Sequence, residues 1–446
     1  MKGRAVKTRL CLMIWILAAA PLTPALAQSK FACSQIESAS ALPTVEGKDA
    51  VFYRTSADLK MQHPMDEAVV QHLAKLSAAL AKNGTILVYA SIPSKSQGMP
   101  GNLPDDASDY GYDPAIDAAV YDDIIARLDQ AGIVAPDLMR ALQAGGSDER
   151  PFLGSDFHWT SSGARLAAKA IGSAIRAQPA YADLTPLNFA SVPTAPVDSF
   201  STMRRILQGY CINPLPPVEM MGWKTTKVEA AGAADVGLDI FAASDQAAQI
   251  VLVGTSFSDS EVNNFAGFLS EFSGLEVINQ AITGGNQFGA ITSYLTSSEF
   301  KDQRPRFLVW ENPIYNNLGQ YGLTQLEELI AAAGNTCTEH LATTVVDGTT
   351  LVADLGTAKA TNVDAIFADF GAEGPRRAHF RLEGKDGLVR SAFIERAERL
   401  QATGRFYLGM SAFHMPDLSR ISVEFDRPVT GSPSLSLCVT RKGDAS

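Results

Sequence analysis

The stretch "VLVGTSFSDS", residues 251–260, carries three apolar residues into Gly254 and then into a small polar turn with Ser256 and Ser258. A strand that ends in Gly-x-Ser and passes into a helix aims the hydroxyl and nearby N–H groups at one point. That arrangement suits a nucleophile. It equally suits an anion nest or a helix N-cap. A serine nucleophile needs a base, and the base needs an orienting acid. Of the six histidines, His63 and His72 lie in or beside a polar helix and read as solvated. His340, His379 and His414 fall at or beyond the boundary of a second domain. His158, in "GSDFHWTSSGA", stands two residues after Asp156 and just before a capped helix. In extended backbone, residues i and i+2 face the same way. Asp156 can then hold one ring nitrogen while the other meets a hydroxyl. A loop in which both residues only bond backbone is the alternative.

A third segment, "INQAITGGNQF" (278–288), leaves a strand at Ile282 and turns on Thr283, Gly284, Gly285 and Asn286. Glycine lets backbone N–H groups approach a ligand closely. With the Ser256 amide, these groups would form an oxyanion hole; an ordinary turn is the other reading. "LVWENPIYN" (308–316) ends a further strand on the same expected edge. Open α/β sheets bind ligands at the carboxyl ends of their strands, so these loops are expected to converge on one rim.

The elements that must position them follow from periodicity. Helical spacing with a glycine stop marks 65–84 and 112–132, and a third helix starts at the Thr-Ser-Ser cap near 160. Further helices are expected at 263–274 and 324–334. Buried strands are expected at 85–93, 249–254, 275–282 and 304–313. Strands alternating with helices predict a mostly parallel, doubly wound sheet covered on both faces. After Cys337 the texture changes to short strands separated by Gly, Asp and Pro, which predicts an antiparallel sandwich of about 100 residues. "VRSAFIERAERLQ" (389–401) fits helix or strand. The Pro- and Ala-rich 179–248 stretch reads as an excursion packed on the α/β body.

The first 27 residues have a basic start, the apolar "LCLMIWILAAA" and "ALA" at 25–27, the pattern of a secretory leader cut before Gln28. No later segment is apolar enough to cross a bilayer, so the mature protein is expected to be soluble outside the cytoplasm. Beyond the leader, Cys33, Cys211, Cys337 and Cys438 form an even set, which favours two disulfides in an exported protein. Three pairings are possible; one bridge in each proposed domain, Cys33–Cys211 and Cys337–Cys438, is favoured. No CxxC-type spacing supports a metal site. The formal charge of −11 becomes −15 once the leader's four cations are gone. Residues 341–446 hold 13 basic and 13 acidic residues, so the excess acid lies before them. A nucleic-acid partner is therefore not expected. Within 376–405, eight basic residues face four acids, a local surplus that suits an anionic ligand.

Gly-x-Ser after one strand and Asn-x-x-Ile-x-Gly after the next resemble the SGNH hydrolase superfamily. The order here is permuted, with the acid and base first. With "DxHWT…GA", "LVGTS", "NFAGFLxEFSG" and "WE" after a strand, the chain resembles the alginate O-acetyltransferase family from the leader to the last cysteine. The resemblance implies Ser256 as nucleophile, His158 as base and Asp156 as orienting acid. It implies that acetyl passes through Ser256 to a mannuronate hydroxyl. The same disulfide pairing is implied, as is a carbohydrate-binding C-terminal domain. The implied organisation is a leader at 1–27, an SGNH hydrolase-like domain at 28–337 and a binding sandwich at 338–446. Family polysaccharide-binding positions fall on Arg376, Phe380 and Lys385. Phe380 replaces a family tryptophan, and Asp386 replaces a family arginine. An active-site tyrosine falls near Tyr315 or Asn316, and Tyr315 would join Ser256, Gly284 and Gly285 in the oxyanion hole. The expected partners are an anionic, alginate-like polysaccharide, a protein that relays acetyl, and the proteins of an export complex. No cofactor is expected, since no coenzyme A motif is present.

Overall fold

A computed structural model of the chain describes residues 29–145, 150–228, 249–334, 336–355, 363–413, 415 and 417–439. The expected leader and His414 lie outside the described residues. Four parallel strands form the central sheet: β1 (Ile86–Ile92), β2 (Ile250–Val253), β3 (Val277–Asn279) and β4 (Phe307–Pro313). Their spatial order is β1-β4-β2-β3. The apolar runs alternate between the two faces, as strand geometry requires. Val88, Ala90, Leu252 and Val309 face the helices Ser161–Arg176 and Phe265–Ser273. Leu87, Tyr89, Val251, Val253 and Trp310 face Glu67–Ala81, Pro114–Gln130 and Thr324–Ala333. Both faces are thus covered, which is why these strands read as continuous apolar runs.

Helix starts follow side-chain chemistry. Asp66 caps Glu67–Ala81 by accepting from the Val69 N–H at 2.8 Å. Thr160 caps Ser161–Arg176 through the Gly163 N–H. β3 is shorter than the expected 275–282 strand. The Asn279 side chain accepts from the Ala281 N–H and donates to the Ser258 carbonyl, which turns the edge strand into a loop.

The described part of the 179–248 excursion is ordered by an antiparallel hairpin, Phe189–Asp198 with Glu219–Lys227, and by the helix Thr202–Gln208. Pro193 and Pro196 flank a register irregularity in this hairpin, which is why no strand was legible there.

The C-terminal residues form two packed antiparallel sheets. The five-stranded sheet runs Thr344–Val346, Thr350–Asp354, Leu418–Phe425, Arg377–Gly384, Val389–Glu395. The four-stranded sheet contains Arg405–Gly409, Ala365–Asp369, Ser434–Cys438 and Glu339–His340. The ambiguous 389–401 segment is a strand over Val389–Glu395, paired with Arg377–Gly384. Disulfides join Cys33 to Cys211 and Cys337 to Cys438, the favoured pairing. The sandwich docks on the α/β body through a buried Arg396–Glu328 ion pair and a Thr296–Thr403 hydroxyl contact at 2.9 Å.

Candidate active site

Gly254 ends β2 beneath the serine turn. A Cβ there would collide with the Glu311 carboxylate of neighbouring β4, so only glycine admits both. The turn enters a short helix, Ser256–Asp259, whose cap is Thr255: its hydroxyl accepts from the Phe257 N–H at 3.3 Å. Ser256 is therefore not the cap, and its hydroxyl is available to another partner. That partner is His158. Nε2 lies 2.7 Å from Ser256 Oγ, and Nδ1 lies 2.6 Å from Asp156 Oδ1. The expected Asp–His–Ser line is present.

The backbone that achieves it is a bend rather than an extended strand. Asp156 Oδ1 also accepts from the His158 N–H at 2.8 Å, an Asx turn that puts carboxylate and imidazole on one side. Trp159 locks the two loops together by donating Nε1–H to the Phe257 carbonyl at 2.9 Å. The carboxyl of Asp156 is subject to opposing effects. Burial raises it, but hydrogen bonds from His158 and Ser201 outweigh burial and hold it below the usual carboxylate range. An ionised acid next to Nδ1 fixes the tautomer that leaves Nε2 free to take a proton.

The candidate oxyanion groups separate. The Ser256 N–H is at the first helical position, where it has no intrahelical acceptor. Gly285 donates its N–H to the Ile282 carbonyl at 3.0 Å, so that amide closes the turn instead of facing a substrate. Gly284, at φ 71°, sits against the Arg399 guanidinium, which donates to the Thr283 carbonyl. The loop is tied to the serine helix by the Thr283 N–H, which donates to Asp259. Tyr315 lies after β4 with its ring 4.8 Å from the Arg54 guanidinium carbon. Arg54 also lies 4.4 Å from the Phe157 ring, which stacks beside His158. Burial raises the Tyr315 phenol above its ordinary value, so it stays a hydrogen-bond donor near neutral pH. Asn316 instead donates to the Asn312 side chain.

Three supporting residues were not legible in the sequence. Lys95 is 1% exposed and its ammonium donates to the carbonyls of Phe52, Gly154 and Asp156 at 2.7–2.9 Å. Ser201 donates to Asp156 Oδ2 at 2.5 Å. Glu311 accepts from the Thr255 N–H and hydroxyl and from the Ser258 hydroxyl, which braces the serine turn from below. Glu311 had a trace in the sequence, as the one acid inside the apolar "FLVWENP". The other two had none.

Burial pushes the Glu311 carboxyl up to about 7, outweighing its three donors. An unfolded glutamate titrates near 4.3. Between there and about 7 the native state binds more protons than the unfolded chain. Stability should therefore fall as pH rises through that window, by on the order of 3–4 kcal/mol. Denaturant melts across pH 4–8 measure this, and Glu311→Gln should flatten the slope.

Two expectations fail on burial. Phe380 is fully buried in the sandwich core with Ala378 and Leu382, so it offers no face to a sugar. His63 is not solvated: its buried Nε2 lies 2.6 Å from Asp117 Oδ1. Lys385 is exposed at the turn between two strands. Arg376 uses its guanidinium on the Ala397 and Leu400 carbonyls, which fixes the segment that carries Arg399.

Residues 44–314 match the family described as SGNH hydrolase-like domain, acetyltransferase AlgX. The chain belongs to that family. It is 35% identical over 259 residues to the probable alginate O-acetylase AlgJ of Pseudomonas syringae pv. tomato, covering 56% of this chain and 64% of that one. It is 30% identical over 276 residues to the alginate biosynthesis protein AlgX of Pseudomonas aeruginosa, covering 62% and 56%. The matches thus span less than two thirds of these relatives. The solved structure of P. aeruginosa AlgX shares the fold, with a TM-score of 0.74 at 22% identity over 90% of this chain and 95% of that one. The O-acetyltransferase domain of Pseudomonas putida AlgJ matches with a TM-score of 0.50 at 23% identity, over 64% and 98%. The family match spans the segments that carry Asp156, His158 and Ser256. Membership of the family also agrees with a parallel sheet followed by antiparallel sheets.

Proposed function

We propose that the chain is an exported polysaccharide O-acetyltransferase that carries acetyl on Ser256 and delivers it to mannuronate hydroxyls of an alginate-like polymer. The observation that carries this reading is the Ser256–His158–Asp156 line, with contacts of 2.7 and 2.6 Å. His158 Nε2 takes the Ser256 proton as Oγ attacks the donor's acetyl carbonyl. The tetrahedral oxyanion meets the Ser256 N–H, with Gly284 and Tyr315 as the neighbouring candidates. Collapse expels the donor's leaving group, which takes the proton from Nε2. The acceptor hydroxyl then gives its proton to Nε2 and attacks the acetyl-serine carbon. Ser256 leaves and recovers the proton. Transfer to sugar instead of water requires a held acceptor, and positioning can supply roughly 7–11 kcal/mol of a barrier.

The leader pattern and two disulfides support a periplasmic setting. We assign residues 28–337 to transfer and 338–446 to polymer binding. With Phe380 inside, the exposed aromatic on the sandwich's five-stranded sheet is Phe393, stacked on His379 at 3.9 Å and flanked by Arg377 and Arg381 across the register. Glu395 and Glu383 pair with these two arginines, so the face offers a sugar ring stacking and hydrogen bonding rather than net positive charge. Phe393→Ala should weaken mannuronate-oligomer binding about two- to tenfold, the loss of roughly 0.5–1.5 kcal/mol of stacking, as read by calorimetry. A partner protein that relays acetyl is part of this reading.

Product analysis tests the function. The chain is incubated with a chromogenic acetyl ester and oligomannuronate. Acetyl on the oligomer supports transfer. Free acetate alone supports an acetylesterase. No Ser256-dependent product supports a non-catalytic binding component.

A further inference from the structure

The two carboxylate oxygens of Asp156 have separate partners. Oδ1 takes both His158 contacts, and Oδ2 takes the Ser201 hydroxyl at 2.5 Å. A carboxylate held on one oxygen alone can rotate about its Cβ–Cγ bond, and the relay needs Oδ1 in the imidazole plane. Ser201 supplies the second point. Its hydroxyl has one proton, directed at Oδ2, while its lone pair accepts the Arg204 N–H at 2.9 Å and caps the helix Thr202–Gln208. Asp156 and Ser201 are 4% and 7% exposed, so no solvent competes for this contact.

The element that carries Ser201 is built for fixity. Met203 and Leu207 of its helix pack with Ile36, Phe52 and Leu215 in a small core of their own. Arg204 clamps the return segment through the Leu215 and Pro216 carbonyls. Just past the helix, Cys211 is bonded to Cys33. The excursion beyond the central sheet thus reaches back to the catalytic acid through one hydroxyl.

We propose that Ser201 is a positioning residue that holds Asp156 in register with His158, extending the line to Ser256–His158–Asp156–Ser201. The inference rests on the acyl-transfer reading of the site, but its test needs no acetyl acceptor. Phenylmethylsulfonyl fluoride reports on the nucleophile directly: Ser256 Oγ forms a bond to sulfur, fluoride leaves, and the serine proton passes to His158. Its rate on the purified chain is read by intact mass.

Three variants separate positioning from helix capping. Ser201→Gly keeps a residue that N-caps nearly as well but removes the donor. Ser201→Thr keeps the hydroxyl. Ser201→Ala removes both. The inference predicts slower sulfonylation in the Gly and Ala variants, by up to about 10²-fold. It predicts recovery in the Thr variant and nearly unchanged melting for Gly. With an acetyl ester, kcat should fall while KM stays. A Gly variant that reacts at the wild-type rate overturns the inference, as does a loss in all three that tracks melting temperature. Ser201-dependent sulfonylation without acetylated oligomer would overturn the transferase reading and leave this inference standing. A wild-type chain inert to the reagent would end both.

Discussion

Ser256→Ala should lower acyl transfer by about 10⁵–10⁶-fold, and His158→Ala by a similar factor, because the two act as one unit. The reason lies in the geometry. Ser256 Oγ has its proton acceptor at 2.7 Å, and the imidazole has a buried, ionised acid on its other nitrogen. Without the hydroxyl no acetyl-enzyme forms, whereas without the imidazole the hydroxyl stays protonated. Asp156→Asn should cost about 10⁴ through the wrong tautomer. The double variant Ser256→Ala/His158→Ala should be no worse than either single one. Initial rates with an acetyl ester measure all four. Multiplying losses would mean that the residues act separately.

Lys95→Met should carry the largest stability cost of any single change near the site. The ammonium satisfies three buried carbonyls, those of Phe52, Gly154 and Asp156. Three acceptors match its three N–H groups, and methionine matches none. Burial disfavours the charge itself and pulls the amine down to about 7, so part of the loss is recovered when the charge is removed. The carbonyls left without donors decide the balance, at about 3 kcal/mol or more. For a chain of this size that is roughly a 3–5 °C fall in melting temperature. Turnover should fall as well, since two of the three carbonyls belong to the loop that carries the acid. An unchanged melting curve would show that the cavity rehydrates.

The parts of the site that were legible lie within short segments. Gly254–Ser256 and Asp156–His158 each carry their geometry in a few residues, and the apolar runs that became β1, β2 and β4 place them on one rim. Ser201, Lys95 and Glu311 act across long separations in sequence, and of the three only Glu311 left a local trace. A serine before Thr-Met-Arg reads only as a helix cap, and a lysine after a strand reads as solvated. Phe380 failed for a different reason. In "AHFRLEG" the apolar residues alternate with polar ones, so Ala378, Phe380 and Leu382 share the inward face. That alternation turns position 380 into the core whatever the family resemblance implies for it. The aromatic that is exposed, Phe393, lies on the neighbouring strand, in the segment that fitted helix as well as strand.

The most direct test of the central claim is to look for the acetyl-serine itself. The chain is mixed with an acetyl ester, quenched within a turnover, and analysed by intact mass and peptide mapping. The account predicts one acetyl group on Ser256, absent in Ser256→Ala. On adding oligomannuronate, that acetyl should leave the protein and appear on the sugar. Acetylated oligomer formed with no acetyl on Ser256, or formed equally by Ser256→Ala, would contradict it.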